Sequence, residues 1–184
     1  MKYQMLVLDI DGTLTNSEKK ITPNTKKALL DLQERGVRVV IASGRPTPGT
    51  RRTAEELELA RFSNFVLSFN GARITNCGTG ETIYQKTVPS SLIPEIYLAA
   101  LNHGVGVLSY EGDGVITGTP IDKYMEIEAR INQMPIREID NFAEYITFPV
   151  NKCLMTGEPE HLAQVEKSLR EQFHGVLNIY RSEP

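Results

Sequence analysis

Two aspartates one residue apart, Asp9 and Asp11, directly follow an apolar run and precede Gly12 and Thr13. Carboxylates this close repel each other, and a hard cation such as Mg²⁺, which prefers oxygen ligands, relieves that repulsion. Asp9 can then attack phosphorus as a nucleophile, while Asp11 can protonate a leaving oxygen and later activate water. In the purely structural alternative, Asp9 caps a turn and Asp11 belongs to an ordinary Asp-Gly loop.

The elements around this pair favour a site at a sheet edge. Residues 5–8 are apolar without alternation, which is typical of a strand buried on both faces of a parallel sheet. Ligands of open α/β sheets bind outside the carboxyl ends of the strands, which is where this pair falls. Because strand side chains alternate, Asp9 and Asp11 share a face unless the turn has already begun.

Ser43, Gly44 and Arg45 follow a second predicted strand, residues 37–42, joined to the first by a helix that begins near Thr22 and ends at Gly36. A small hydroxyl beside glycine suits close approach to a phosphate oxygen, although Ser43 is also a plausible turn cap. Arg45 offers a forked donor to a substrate phosphate or sugar, and an ion pair is an equally good interpretation.

Asn70 and Gly71 follow a third predicted strand at residues 64–69. The Asn70 amide is expected beside the same pocket, where it can hydrogen-bond Asp9 or a phosphate. A turn role for Asn70 is an equally good interpretation.

These segments resemble the haloacid dehalogenase (HAD) superfamily. Asp9-Ile10-Asp11-Gly12-Thr13-Leu14 resembles its first motif, and Ile41-Ala42-Ser43-Gly44-Arg45-Pro46 resembles its second motif in the Cof-type sugar-phosphatase branch, subfamily IIB. Asn70-Gly71-Ala72 also fits that branch. The resemblance implies an α/β fold, with a Rossmann-like parallel-sheet core and an inserted α+β cap domain.

The resemblance also implies roles for individual residues. Asp9 is the implied nucleophile and Mg²⁺ ligand, and Asp11 is the implied general acid/base whose main-chain carbonyl binds the metal. Ser43 is the implied phosphate ligand, with Gly44, Arg45, Asn70 and Gly71 expected beside the substrate.

The chain is expected to divide at residues 1–83, the N-terminal part of the core, and residues 84–184, a cap of the C2B type. After residue 84 the pattern predicts the order α-β-β-α-β-α-β, with an irregular segment between Pro135 and Pro149 and a last strand at residues 176–181. In this family such a layer lies over the active site and excludes water.

Two motifs of the family pattern are missing from the sequence: a lysine after the cap and an acidic Gly-Asp-x-x-x-Asp loop. We therefore expect a fragment of a longer chain that is weakly active or inactive alone. The core would be incomplete, and its first strand would form an exposed apolar edge through which copies can self-associate.

The composition of the chain argues against nucleic acid and a membrane as partners. The 184 residues carry a net charge of −3 with no basic block, which argues against nucleic acid. No apolar run approaches the ~20 residues of a membrane span. The absence of a signal peptide and the two cysteines without motif spacing, Cys77 and Cys153, predict a cytoplasmic location with reduced thiols.

The function expected from these features is hydrolysis of small phosphorylated metabolites, with sugar phosphates as the leading class, by an Mg²⁺-dependent phosphatase through an aspartyl-phosphate. A phosphomutase of the same superfamily is the enzymatic alternative. A noncatalytic Mg²⁺- or phosphate-binding module is the alternative from another class, since acidic strand-end pockets also serve receiver domains.

Overall fold

The computed structural model describes residues 3–182. The chain divides into two compact units, Met1–Lys86 and Thr87–Pro184. Each unit contains a sheet that includes parallel strands, together with helices. The predicted α/β class is therefore confirmed. Within residues 3–182, no helix combines the length and the apolar character needed to cross a bilayer.

In its described residues, the first unit contains a five-stranded sheet and two α-helices. Its elements, in chain order, are β1 (Met5–Leu8), α1 (Pro23–Glu34), β2 (Arg38–Ala42), α2 (Thr47–Glu56), β3 (Phe65–Ser68), β4 (Arg73–Asn76) and β5 (Thr82–Gln85). The strands lie in the order β1-β2-β3-β4-β5. The first three strands run parallel, β4 pairs antiparallel with β3, and β5 pairs antiparallel with β4.

The helix between the first two strands begins and ends as its sequence predicts. The Thr22 hydroxyl accepts a hydrogen bond from the Thr25 amide, and Pro23 occupies the first helical position. Gly36 follows the helix with φ of 82°, a conformation that glycine adopts without strain. This crossover carries the chain to β2, parallel to β1.

The expectation that strand 5–8 is buried on both faces is wrong. Met5 and Val7 are about half exposed, while Leu6 and Leu8 pack against the core that contains Val39 and Ile41. Within residues 3–182, β2 is the only strand paired with β1, so β1 lies at a sheet edge. Strand β1 therefore has one face packed against the core and the other exposed, although its sequence does not alternate between apolar and polar residues.

The second unit contains a four-stranded sheet and four α-helices among the described residues. Its elements are α3 (Ile93–His103), β6 (Gly106–Glu111), β7 (Gly114–Thr117), α4 (Lys123–Asn132), β8 (Ile136–Glu138), α5 (Phe142–Tyr145), β9 (Leu154–Thr156) and α6 (Pro159–Gln172). The strands lie in the order β8-β7-β6-β9, and of the described pairs only that of β7 with β8 is parallel. The apolar core of this unit includes residues from helices α3 and α6.

Two expectations for the second unit are wrong. The segment expected to be irregular contains β8, whose residues pair in parallel with β7, and the short helix α5. Asn141 caps α5 by accepting from the amides of Ala143 and Glu144. The strand expected at residues 176–181 does not form, and Leu177 and Ile179 instead pack against the core as irregular chain.

Phe142 anchors the core of the second unit, because its side chain is fully buried with its ring 5.7 Å from that of Tyr97. Phe142→Ala is expected to lower the free energy of unfolding by about 3–5 kcal/mol, measured by urea unfolding followed by circular dichroism. Leu98→Ala, at a side chain 57% exposed on α3, is the control and should change stability by less than about 0.5 kcal/mol. A Phe142→Ala loss as small as the control's would contradict this account of the core.

Candidate active site

The carboxyl ends of β1, β2 and β3 lie side by side at one edge of the first sheet. Leu8 pairs with Ile41, and Ala42 pairs with Leu67, so Asp9 and Ser43 leave their strands at neighbouring positions. The Ser43 amide continues the ladder by donating to the Leu67 carbonyl at 2.9 Å. The parallel register therefore brings the predicted residues of three separate segments to the same edge.

A wide turn over Ile10–Leu14 follows Asp9 directly and contains Asp11. The Leu14 amide donates to the Asp9 carbonyl at 3.1 Å, and Gly12 has φ of 80°. Because the turn begins at Ile10, Asp11 lies outside the strand, and strand alternation does not decide its direction. The Asp9 side chain is exposed and makes no hydrogen bond or ion pair with any residue in 3–182.

The Asp11 carboxylate is held by two cationic side chains. Arg45 Nε donates to Oδ2 at 2.9 Å and Arg45 Nη2 donates to Oδ1 at 2.8 Å, which is the bidentate geometry of a guanidinium on a carboxylate. Lys19 Nζ donates to Oδ1 at 3.0 Å. The ion-pair interpretation of Arg45 is thus what the structure contains.

These contacts set the charge state of Asp11. The hydrogen bond from Arg45 lowers the pKa of Asp11; partial burial raises this pKa, while the hydrogen bond from Lys19 again lowers it. The net direction is downward, so the carboxylate is ionised at neutral pH. In this state Asp11 can accept a proton and cannot supply one.

The segment Ser43–Gly44–Arg45 is fixed by its own hydrogen bonds. Ser43 is buried, and its Oγ accepts from the Arg45 amide at 3.2 Å, which is the turn-cap role left open by the sequence. A hydroxyl that accepts one bond can still donate another, so this cap does not prevent contact with a phosphate. The Arg45 carbonyl accepts from the Phe69 amide at 2.8 Å, which ties this segment to the end of β3.

Asn70 meets this segment from the β3 side. The backbone N–H of Asn70 donates to the Ser43 carbonyl at 3.0 Å. A Cβ on Gly44 would lie only 2.8 Å from the side-chain oxygen of Asn70, Oδ1. Glycine at position 44 is therefore what allows the Asn70 side chain to lie there. Within residues 3–182 the Asn70 side chain makes no hydrogen bond, so the one expected to Asp9 is not formed in this structure.

The turn after β3 has an unusual backbone. Phe69, Asn70 and Gly71 all have positive φ, of 52°, 56° and 84°. For a buried aromatic residue such as Phe69 this conformation is strained by about 1–3 kcal/mol, and strain of this kind clusters at functional sites. The aromatic side chain at position 69 gave no indication of a left-handed backbone.

The oxygen donors suit Mg²⁺, although they are few. Asp9 offers a carboxylate without other partners among the described residues, whereas both oxygens of Asp11 carry hydrogen bonds. Within residues 3–182, no three His, Cys, Asp or Glu side chains come together as a metal-binding group. A magnesium ion that keeps several waters and binds one or two protein oxygens plus a phosphate is compatible with this donor set.

All seven predicted site residues lie at or next to the shared sheet edge. Hydrogen bonds connect Asp11 to Arg45, Arg45 to Ser43 and Ser43 to Asn70. Asp9 is connected to the others only through the chain and the strand register. Lys19 was missed by the sequence analysis, because a lysine in a polar loop eight residues after Asp11 has no recognisable pattern.

Comparisons with known proteins identify the family of this chain. The family described as haloacid dehalogenase-like hydrolase matches residues 6–184. A crystal structure of a haloacid dehalogenase-like hydrolase from Bacteroides thetaiotaomicron is 41% identical, with a TM-score of 0.92, over 99% of this chain and 68% of that one. A candidate phosphatase of Streptococcus pyogenes serotype M6 is 30% identical over 100% of this chain and 68% of its own length.

A more distant structure is described as a HAD subclass IIB sugar phosphatase. It is 22% identical with a TM-score of 0.68, covering 90% of this chain and 63% of that one, and at this identity it shows the fold alone. The chain thus spans about two thirds of the length of the proteins it matches. Since the family match covers nearly every residue, the chain belongs to the haloacid dehalogenase-like hydrolases.

Proposed function

We propose that this chain carries the catalytic aspartates of an Mg²⁺-dependent phosphatase that hydrolyses small phosphorylated metabolites, with sugar phosphates as the leading class. The observation that carries the proposal is the hydrogen-bonded link from Asp11 through Arg45 and Ser43 to Asn70, next to a carboxylate of Asp9 that has no partner among the described residues. The names of the relatives, which include several phosphatases, agree with it.

In the first step the Asp9 carboxylate attacks phosphorus in line. A bond forms between an Asp9 oxygen and phosphorus, the bond to the leaving oxygen breaks, and that oxygen takes the proton of a protonated Asp11, which becomes a carboxylate. The product is an aspartyl-phosphate on Asp9 and a free alcohol. The Ser43 hydroxyl can donate a hydrogen bond to an oxygen of the transferring group while it still accepts one from the Arg45 amide.

In the second step water attacks the same phosphorus atom. Asp11 accepts a proton from the water, the bond from phosphorus to Asp9 breaks, and inorganic phosphate leaves. The ionised state of Asp11 in this structure suits this step. The acid step requires Asp11 to hold a proton, and therefore requires it to leave Arg45 and Lys19.

The proposed metal site consists of the Asp9 carboxylate and the Asp11 main-chain carbonyl, completed by water and a substrate phosphate oxygen. When bound there, Mg²⁺ neutralises charge on the phosphate oxygens and reduces their repulsion with the Asp9 carboxylate.

The proposed function is tested by phosphate release from a panel of phosphorylated metabolites. The chain is used in excess over substrate, so that a single slow turnover is detectable. We expect release from at least one phosphomonoester with Mg²⁺, and at least about tenfold slower release after chelation. The same panel is run with the full-length gene product that contains these residues. No release from any compound by either protein, or release that chelation leaves unchanged, would contradict the proposal.

The second unit, Thr87–Pro184, is proposed to be the cap of this enzyme, and Met1–Lys86 the N-terminal part of its core. The cap proposal rests on the mixed α+β composition of the second unit and on the family resemblance. Cytoplasmic location and self-association through β1 stay predictions of the sequence.

A further inference from the structure

The second unit holds a carboxylate and an ammonium group that lie near each other without forming an ion pair. Glu128 is on helix α4, and Lys152 lies two residues before strand β9. Both residues are partly buried. Burial lowers the pKa of Lys152 and the charge of Glu128 raises this pKa, which places the two groups within electrostatic reach of each other. Within residues 3–182, the Lys152 ammonium makes neither a hydrogen bond nor an ion pair.

Glu128 is held in place through one of its two carboxylate oxygens. Tyr110 Oη donates to Oε1 at 2.7 Å, and Asn132 Nδ2 donates to the same oxygen at 2.9 Å. Because Tyr110 and Asn132 are both buried, these two bonds hold the carboxylate at a defined position. The other oxygen, Oε2, has no hydrogen-bond partner among the residues that the structure describes. A charged acceptor therefore remains unpaired near Lys152.

Two further observations concern the residues around this pair. Ser109 Oγ donates to the Lys152 carbonyl at 2.9 Å, which holds the backbone of Lys152 beside strand β6. The side chain of Asn132, a residue only 4% exposed, has a second polar atom, Oδ1, that is buried without a hydrogen-bond partner in the described chain. Buried polar atoms of native proteins are nearly always paired. An unpaired one on the residue that holds Glu128 points to a ligand.

A purely structural role explains the pair poorly. Taking two charges partly out of water costs free energy, and a direct ion pair with further hydrogen bonds is what offsets this cost. Lys152 and Glu128 do not form the direct pair, although each is within electrostatic reach of the other. A group that accepts from the ammonium and donates to the carboxylate would satisfy both of them.

The chemistry of the three unpaired groups selects a hydroxyl ligand. Glu128 repels an anion and Lys152 repels a cation, so a neutral ligand fits best. A hydroxyl accepts and donates at a single oxygen, so it can accept from Lys152 Nζ while it donates to Glu128 Oε2. A second hydroxyl of the same molecule supplies the donor that Asn132 Oδ1 lacks. Ile131, three residues after Glu128 on the helix and 46% exposed, offers apolar surface to the C–H groups of such a molecule.

We propose that Lys152, Glu128 and Asn132 form a binding site for a neutral polyol in the second unit, with one hydroxyl bridging the ammonium and the carboxylate. The site goes beyond the proposed phosphatase activity and does not depend on it, because its ligand needs no phosphate group. None of the proposed catalytic residues takes part in it.

The test is polyol binding, followed by two-dimensional ¹H–¹⁵N NMR of the chain during titration with glycerol, ribitol, glucitol, mannitol and inositol. We expect saturable shifts with at least one of these compounds, centred on the amides of residues 108–110, 128–132 and 152–154. The fully O-methylated form of the compound that binds keeps the oxygen acceptors and lacks the donors, and it should not bind.

Lys152→Met and Glu128→Gln are each expected to weaken polyol binding about tenfold or more, because each removes a charged partner of the bridging hydroxyl. Glu128→Gln keeps an oxygen for Tyr110 and Asn132, and it replaces the unpaired acceptor with a donor. Because one hydroxyl bridges both groups, the double variant should bind at most about threefold more weakly than either single variant, since losses at a shared contact are not additive.

Lys167→Met and Glu126→Gln are the matched controls. Lys167 is an exposed lysine on helix α6, and Glu126 is an exposed glutamate on α4, the helix that carries Glu128. Both variants should bind the polyol as the parent chain does. Circular dichroism of each variant verifies that it is folded, and the titration of the parent with the methylated compound requires no variant.

The site would be overturned by the absence of saturable binding with every polyol, by equal binding of the methylated form, or by shifts centred on residues of the first unit. Unchanged affinity in both Lys152→Met and Glu128→Gln would also overturn it. Polyol binding without phosphate release would contradict the proposed function and leave the site standing. Phosphate release without polyol binding would overturn the site alone.

Discussion

Asp9→Asn is expected to lower the rate of phosphate release by at least about 10³-fold, because an amide oxygen is a poor nucleophile toward phosphorus. The fold should not change, since the Asp9 side chain is exposed and makes no contact with other described residues through hydrogen bonds or ion pairs. The measurement is single-turnover phosphate release with Mg²⁺, on the best substrate of the panel.

The control for this variant is Asp31→Asn, the same chemical change at an exposed aspartate of the same unit. Asp31 lies on α1 and pairs with Lys27 at 2.6 Å. An exposed pair of this kind contributes little to stability, and Asp31→Asn should retain full activity. Activity of Asp9→Asn above about one tenth of the parent's would exclude Asp9 as the nucleophile, since general acid or base roles alone contribute more than that.

Asp11→Asn is expected to have the second largest effect, a loss of about 10² to 10⁴-fold with substrates whose leaving group is a poor one. An alkyl leaving oxygen needs a proton as the bond breaks, whereas a nitrophenolate leaves without one. The loss in the first step should therefore be much smaller with a nitrophenyl phosphate. The measurement compares single-turnover formation of the free alcohol or phenol from both substrates.

The comparison of the two leaving groups isolates the proton-transfer role of Asp11. A variant that loses activity equally on both leaving groups would show that Asp11 does not act as the general acid. Arg61→Ala removes a charge elsewhere in the unit and should leave the rates with both substrates unchanged.

The positions of the site residues could be predicted because strand ends and parallel register fix them. An apolar run followed by Asp9, and a second run followed by Ser43, need only pair in parallel to bring both residues to one edge. The register of Leu8 against Ile41 does this. Local patterns of this kind are readable since each depends on a few neighbouring residues.

Side-chain partners could not be predicted in the same way. The choice of Arg45 between an ion pair and a ligand depends on where the turn at Ile10–Leu14 directs Asp11. The contact of Lys19 depends on the conformation of a loop that Asn16 organises. Both are decided by tertiary geometry, which leaves no periodic signal in the sequence.

The two wrong secondary-structure predictions for the second unit have a related cause. Strand β8 is only three residues long, and its pairing with β7 rather than its composition makes it a strand. Conversely, residues 176–181 include Val176, Ile179 and Tyr180, residue types that are enriched in strands, but in the described chain they have no strand beside them to pair with. Short strands depend on their neighbours more than on intrinsic preference.

The most direct test of the account is the identity of the residue that becomes phosphorylated. The chain is mixed with its best substrate and Mg²⁺, quenched in acid, reduced with borohydride to convert an acyl-phosphate into a stable alcohol, and digested for mass spectrometry. The account predicts conversion at Asp9 alone, with Asp11 unmodified. Conversion at another residue, or none during demonstrated turnover, would contradict it.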